Sequence, residues 1–198
     1  SRLLAELAER AKASGARYIR GDCVELGDDE LPYAPIIGAL RPLVRAQDPA
    51  FDDLGPSTRA ARATLLPGLR DGQPARSTAA DGDGRARLFD ALLALLSRLA
   101  EDRPLVLALE DLHWADRSTR AHLAYLARSL WDERVLLVGT YRSDELHRRH
   151  PLRPLLAELE RDPRAVRVAL SPFTPDELSG QLADILGAPP EDELVERL

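Results

Sequence analysis

Five apolar residues, Leu105–Leu109, run without a break and stop at two adjacent carboxylates, Glu110 and Asp111. A short unbroken apolar run of this kind fits a strand covered on both faces, as in a parallel α/β sheet. A second such run, Val135–Tyr141, reads Val-Leu-Leu-Val-Gly-Thr-Tyr and ends at Arg142. Ligands of open parallel sheets bind beyond the carboxyl ends of the strands, so Glu110, Asp111 and Arg142 stand where chemistry is expected. Adjacent acids there can hold a magnesium ion and orient a water. The plainer alternative is a buried strand that leads into an acidic, solvated turn.

The rest of the chain alternates in the same way. Leu3, Leu4, Leu7, Ala8 and Ala11 recur at helical spacing, and Gly15 ends that helix. Arg17–Val24 reads as a strand, and Tyr33–Ala46 as a helix that Pro42 kinks or divides. Arg85–Ala100 is a strong helix with a wide leucine face, and Asp116 or Ser118 caps a further helix that runs to about Trp131. Pro151–Arg161 is predicted helical, Ala165–Leu170 a strand, Pro175–Leu186 a helix and Glu191–Leu198 the start of another. Glu25–Pro32 is an acidic loop. Residues Gln47–Gly84 are dominated by Asp, Gly, Pro, Ser and Ala and read as a surface loop, interrupted by a short helix over Ser57–Leu66. Strands alternating with helices predict an α/β fold, a parallel sheet with helices on both faces.

The net charge of -6 argues against a dedicated nucleic-acid surface. The single cysteine, Cys23, excludes an internal disulfide, fits a reducing, cytoplasmic compartment and reads as a small core residue. No apolar run approaches the roughly 20 residues of a membrane span, so no membrane partner is expected. The chain holds no methionine and opens in mid-helix, so it reads as a fragment of a longer protein, cut at its front and also at its back.

Two stretches carry a family likeness: Leu-Glu-Asp-Leu-His-Trp-Ala-Asp at 109–116 and Gly-Thr-Tyr-Arg-Ser-Asp-Glu-Leu at 139–146. With Leu152–Leu178 they resemble the ATPase domain of the large ATP-binding regulators of the LuxR type, a branch of the signal-transduction ATPases with numerous domains within the AAA-like P-loop NTPases. The resemblance implies an AAA-like P-loop fold that lacks its first strand here. It also implies a partial NTPase core over residues 1–171 and the start of a helical lid over 172–198. The implied cofactors are ATP and Mg2+. Glu110 and Asp111 take the places of the acidic Walker B pair, the first in the magnesium shell, the second also polarising the attacking water as the catalytic acid. The family more often has Asp at the first place; Glu110 is one methylene longer, so its hold on the metal is expected to run through water. Arg142 is the implied sensor of the γ-phosphate, with Thr140 a weaker candidate in the same region; the alternative for Arg142 is a surface ion pair with Asp144 or Glu145. Ser1 follows the place of the phosphate loop and would ligate magnesium beside the nucleotide.

The loop itself, Gly-x-x-x-x-Gly-Lys, is absent from these residues, and the glycines of 72–84 do not supply it, having no lysine and no preceding strand. Losing four hydrogen bonds to charged phosphates forfeits roughly 6 kcal/mol, about four decades in affinity, so these 198 residues alone are expected to bind ATP poorly. Trp114 is expected to pack and His113 to be structural. His147 and His150 have a spacing seen in some metal sites, but without a second ligand pair they read as a solvated helix start. Arg148, Arg149, Arg153, Arg161, Arg164 and Arg167 form a solvated basic face with Glu158, Glu160 and Asp162.

By resemblance the function is a nucleotide-controlled switch in a transcriptional regulator. The parent would self-associate and touch DNA only through a domain beyond these residues. Two alternatives stay open: a scaffold for protein contacts without enzymatic activity, and a regulatory module of a nucleotide cyclase or kinase.

Overall fold

The computed structural model describes residues 2–25, 32–52 and 82–197. Ser1, the short helix expected over Ser57–Leu66 and most of the loop around it lie outside these residues. The described chain begins with α1 (Arg2–Ala13), ended as expected at Gly15, which takes a φ of 80°. There follow β1 (Arg17–Asp22), α2 (Ala34–Arg45), α3 (Gly82–Leu99), β2 (Leu105–Glu110), α4 (Arg117–Ser129), β3 (Val135–Gly139) and α5 (Arg153–Leu159). α6 (Pro175–Leu186) and α7 (Asp192–Arg197) complete the order.

The three strands form one parallel sheet in the order β1-β2-β3, with Leu107 opposite Ile19 on one side and Leu137 on the other. β2 is therefore the central strand, and all six of its residues are buried, which is why its sequence does not alternate. Its two faces meet different partners. Leu105, Leu107 and Leu109 join Ile19 in the main core with Ile36 and Leu40 of α2, Leu92 and Leu96 of α3, and Leu123 and Leu126 of α4. Val106 and Ala108 are buried outside that cluster, as are Leu4, Ala8 and Ala11, the buried stripe of α1, which packs on β1. Helices thus cover both faces, and the parallel α/β expectation holds.

α2 lies directly on β1. A Cβ on Gly21 would collide with the Pro35 carbonyl, so the approach of helix to strand requires glycine there. Pro42 neither divides α2 nor ends it: the helix runs on to Arg45. Between α2, α3 and α4 an aromatic group gathers, with the Phe89 ring 4.8 Å from His122 and 6.2 Å from Tyr33. Phe51 is buried at the end of a short 3-10 turn, Pro49–Phe51, inside a stretch whose composition predicted only loop; one aromatic outweighs its polar neighbours when it reaches the core.

Two compact units divide the chain, Ser1–Asp162 and Pro163–Leu198. In the second, the strand expected over Ala165–Leu170 does not form: these residues make no ladder. Val166, Val168 and Leu170 are 84%, 74% and 73% exposed. The alternation is real, but these residues join no strand ladder, and alternation alone does not make one. α6 starts as its sequence predicts, with Thr174 and Glu177 forming a reciprocal capping box and Pro175 in the first turn. No helix among the described residues is long and apolar enough to cross a membrane.

Candidate functional site

The acid pair sits at the carboxyl end of the central strand, and the two acids have different surroundings. Glu110 is the last residue of β2 and is only 5% exposed. Its Oε1 forms an ion pair with Arg20 Nε at 2.6 Å. The register explains it: Arg20 and Asp22 of β1 point to the same side of the sheet as Ala108 and Glu110. Arg20 is shared, since its guanidinium also donates to Asp22 Oδ1 at 2.8 and 3.0 Å. Sequence reasoning missed Arg20. The period of two that puts it on the face of Glu110 becomes informative only once β1 is known to be the neighbour of β2.

Asp111 has left the ladder. Its backbone is left-handed, φ 56° and ψ 46°, which costs an L-residue roughly 1–2 kcal/mol. Its carboxylate carries no hydrogen bond or ion pair among the described residues. The backbone bend is held from β3. The Thr140 N–H donates to the Leu109 carbonyl at 3.0 Å, and the Leu112 N–H donates to the Thr140 carbonyl at 2.8 Å. The Asp111 N–H donates to Thr140 Oγ1 at 3.2 Å. Three hydrogen bonds, each worth about 0.5–1.5 kcal/mol, offset the strain. Gly139 lets the two segments close up, because a Cβ there would lie 2.5 Å from Leu112 Cδ1.

After the bend, Leu112–Trp114 makes one 3-10 turn, and Asp116 caps α4 by accepting from the Ser118 and Thr119 N–H groups at 2.7 and 3.0 Å. Of the two candidate caps, Asp116 is the one used. His113 is buried, and its Nδ1 accepts the Arg142 N–H at 3.4 Å. Trp114 leans on the His113 ring at 5.2 Å but is 39% exposed, so it is less of a packing residue than expected. The Arg142 side chain is exposed and pairs with Asp144 at 3.2 Å and Glu145 at 3.8 Å. Cys23, one residue past β1, is buried; burial first, then Asp116, Asp111 and Asp22, push its thiol up to about 12. Its burial agrees with the small core residue expected from the sequence.

The structure thus gathers Glu110, Asp111, Thr140 and the Arg142 backbone at one rim of the sheet. His147 and His150 stack edge to face at 5.4 Å just before α5. Burial, and then the charges of His147, Arg120 and His113, hold His150 below the usual histidine range. No group of three His, Cys, Asp or Glu among the described residues is arranged to hold a metal ion.

The chain is 29% identical over 208 residues to an uncharacterized protein of Rhizobium meliloti (strain 1021), a match that covers 95% of this chain and 20% of that protein. The chain therefore spans about a fifth of the length of this relative. No solved structure matches it. The AAA ATPase domain matches residues 1–138, from α1 through β1 and β2 and into β3. On that match, over more than half of its length, the chain belongs to the AAA ATPase domain family.

Proposed function

We propose that the chain is the ATP-binding, ATP-hydrolysing part of a signalling switch in a larger LuxR-type transcriptional regulator. The observation that carries this reading is the shared rim, where the Asp111 N–H, next to Glu110 at the end of β2, donates to the hydroxyl of Thr140, two residues before Arg142. In this reading Asp111 polarises the attacking water, Glu110 and Asp111 serve the magnesium ion together with Ser1, and Arg142 and Ser1 face the nucleotide. The ion would neutralise phosphate charge when bound. The two acids fit it unequally. Asp111 is open to it, whereas Glu110 meets it only by loosening from Arg20. The phosphate loop that would complete the site is not among these residues. The outer edge of β3, which pairs with no strand among the described residues and leaves Leu136 half exposed, gives room for its strand. The helical segments after residue 172 begin the lid. Self-association and DNA contact belong to other parts of the longer protein, a view supported by the length of the Rhizobium relative.

The full-length protein is expected to bind ATP with magnesium. Asp111→Asn is expected to keep that affinity within about threefold and to lose hydrolysis by about 100-fold. A wild-type protein that binds no ATP by calorimetry would end this reading. The alternative of a contact scaffold without hydrolysis draws on one observation, that Arg20 already neutralises Glu110. Binding without turnover in the wild type would select it.

A further inference from the structure

We propose that Thr140 and His113 are positioning residues that clamp the turn carrying Asp111 to the segment carrying Arg142, and so set the direction of the catalytic carboxylate. This rests on the nucleotide reading above. Four observations lead to it. Asp111 adopts a left-handed backbone, which turns the chain out of the strand direction at an energetic cost. The Thr140 hydroxyl accepts the Asp111 N–H at 3.2 Å. Thr140 also uses both backbone groups on the same turn, through Leu109 and Leu112. His113, which is buried, accepts the Arg142 N–H at Nδ1 at 3.4 Å.

The two bonds run in opposite directions across the gap. A β3-side hydroxyl holds the backbone of the acid, and an acid-side imidazole holds the backbone of the arginine. Neither segment can shift along the other without breaking one of them. Such a brace fixes the acid and the arginine relative to each other, while leaving the Asp111 carboxylate free for its own work. It gives the Thr140 hydroxyl a partner in the protein itself, the Asp111 amide.

The test compares Thr140→Val, which keeps the shape and loses the acceptor, with Thr140→Ser, which keeps it. Both are made in the full-length protein. Two readouts are taken: amide hydrogen exchange in the peptide covering 109–114, and steady-state hydrolysis of ATP. In Thr140→Val, exchange in that peptide is expected to rise about tenfold. Its kcat is expected to fall about ten- to hundredfold, with KM for MgATP changed by less than about threefold. Thr140→Ser is expected to stay near wild type in both. His113→Leu is expected to raise exchange around Arg142 instead, again with loss in kcat. Unchanged exchange in Thr140→Val overturns the clamp. Faster exchange with unchanged kcat overturns the positioning role. A wild-type protein that hydrolyses no nucleotide overturns the functional reading by itself, while the exchange comparison still decides whether Thr140 holds the Asp111 turn.

Discussion

The two compact units treat the same kind of residue in opposite ways. In the first, Leu105, Leu107 and Leu109 of β2 are at most 1% exposed, between β1 and β3 and beneath three helices. In the second, Val166, Val168 and Leu170 alternate as strand residues do, yet form no ladder and stay open, and α6 contains no buried residue. Side-chain pattern thus states which face a residue prefers, while a strand exists only where a neighbour completes its hydrogen bonds. Local rules still work in the second unit: the capping box of α6 needs only residues within one turn.

The largest expected effect tests the first unit. Gly21→Ala should cost about 3 kcal/mol or more in urea unfolding, because the added methyl meets backbone rather than a side chain that can turn away. A variant as stable as wild type would show that α2 does not rest on β1. Next comes acid. His122 is fully buried, with neither ring nitrogen hydrogen-bonded, and burial lowers its pKa to about 4. The unfolded chain takes up a proton near pH 6.5 and the folded chain does not until about pH 4. Proton uptake therefore favours unfolding as pH falls through that window, and the first unit should lose up to about 3 kcal/mol. His122→Leu should flatten this dependence, and an unaltered pH profile would show that the imidazole is solvated. The smallest effects belong to the second unit. Thr174→Ala should weaken α6 by about 1 kcal/mol, read as faster amide exchange there and no change in β2. Val168→Ser should shift stability by less than about 0.5 kcal/mol. A loss several times larger in the full-length protein would mean that another segment covers this stretch, and the contrast between the units would shrink.

Much of the site was legible because it is local. An apolar run that stops at two acids, and another that stops near an arginine, locate two strand ends from neighbouring residues alone. The ion pair of Glu110 with Arg20 was not legible, since 90 residues separate the partners and only the β1–β2 register joins them. The left-handed Asp111 was equally hidden. Leu-Glu-Asp-Leu contains no glycine to announce a bend, and the bend is held by Thr140, the residue that follows β3.

Periodicity, helix stops and caps, and the continuous burial of β2 follow from short-range physical chemistry, so the amino-acid order alone established the α/β class and the acidic strand end. Pairing depends on which backbone lies alongside. That decided between β1, which found a partner in β2, and Ala165–Leu170, whose pattern is as strand-like but which meets no ladder. The same long-range contacts left Glu110 held by a cation and Asp111 open, a difference between two adjacent carboxylates that no local rule could supply.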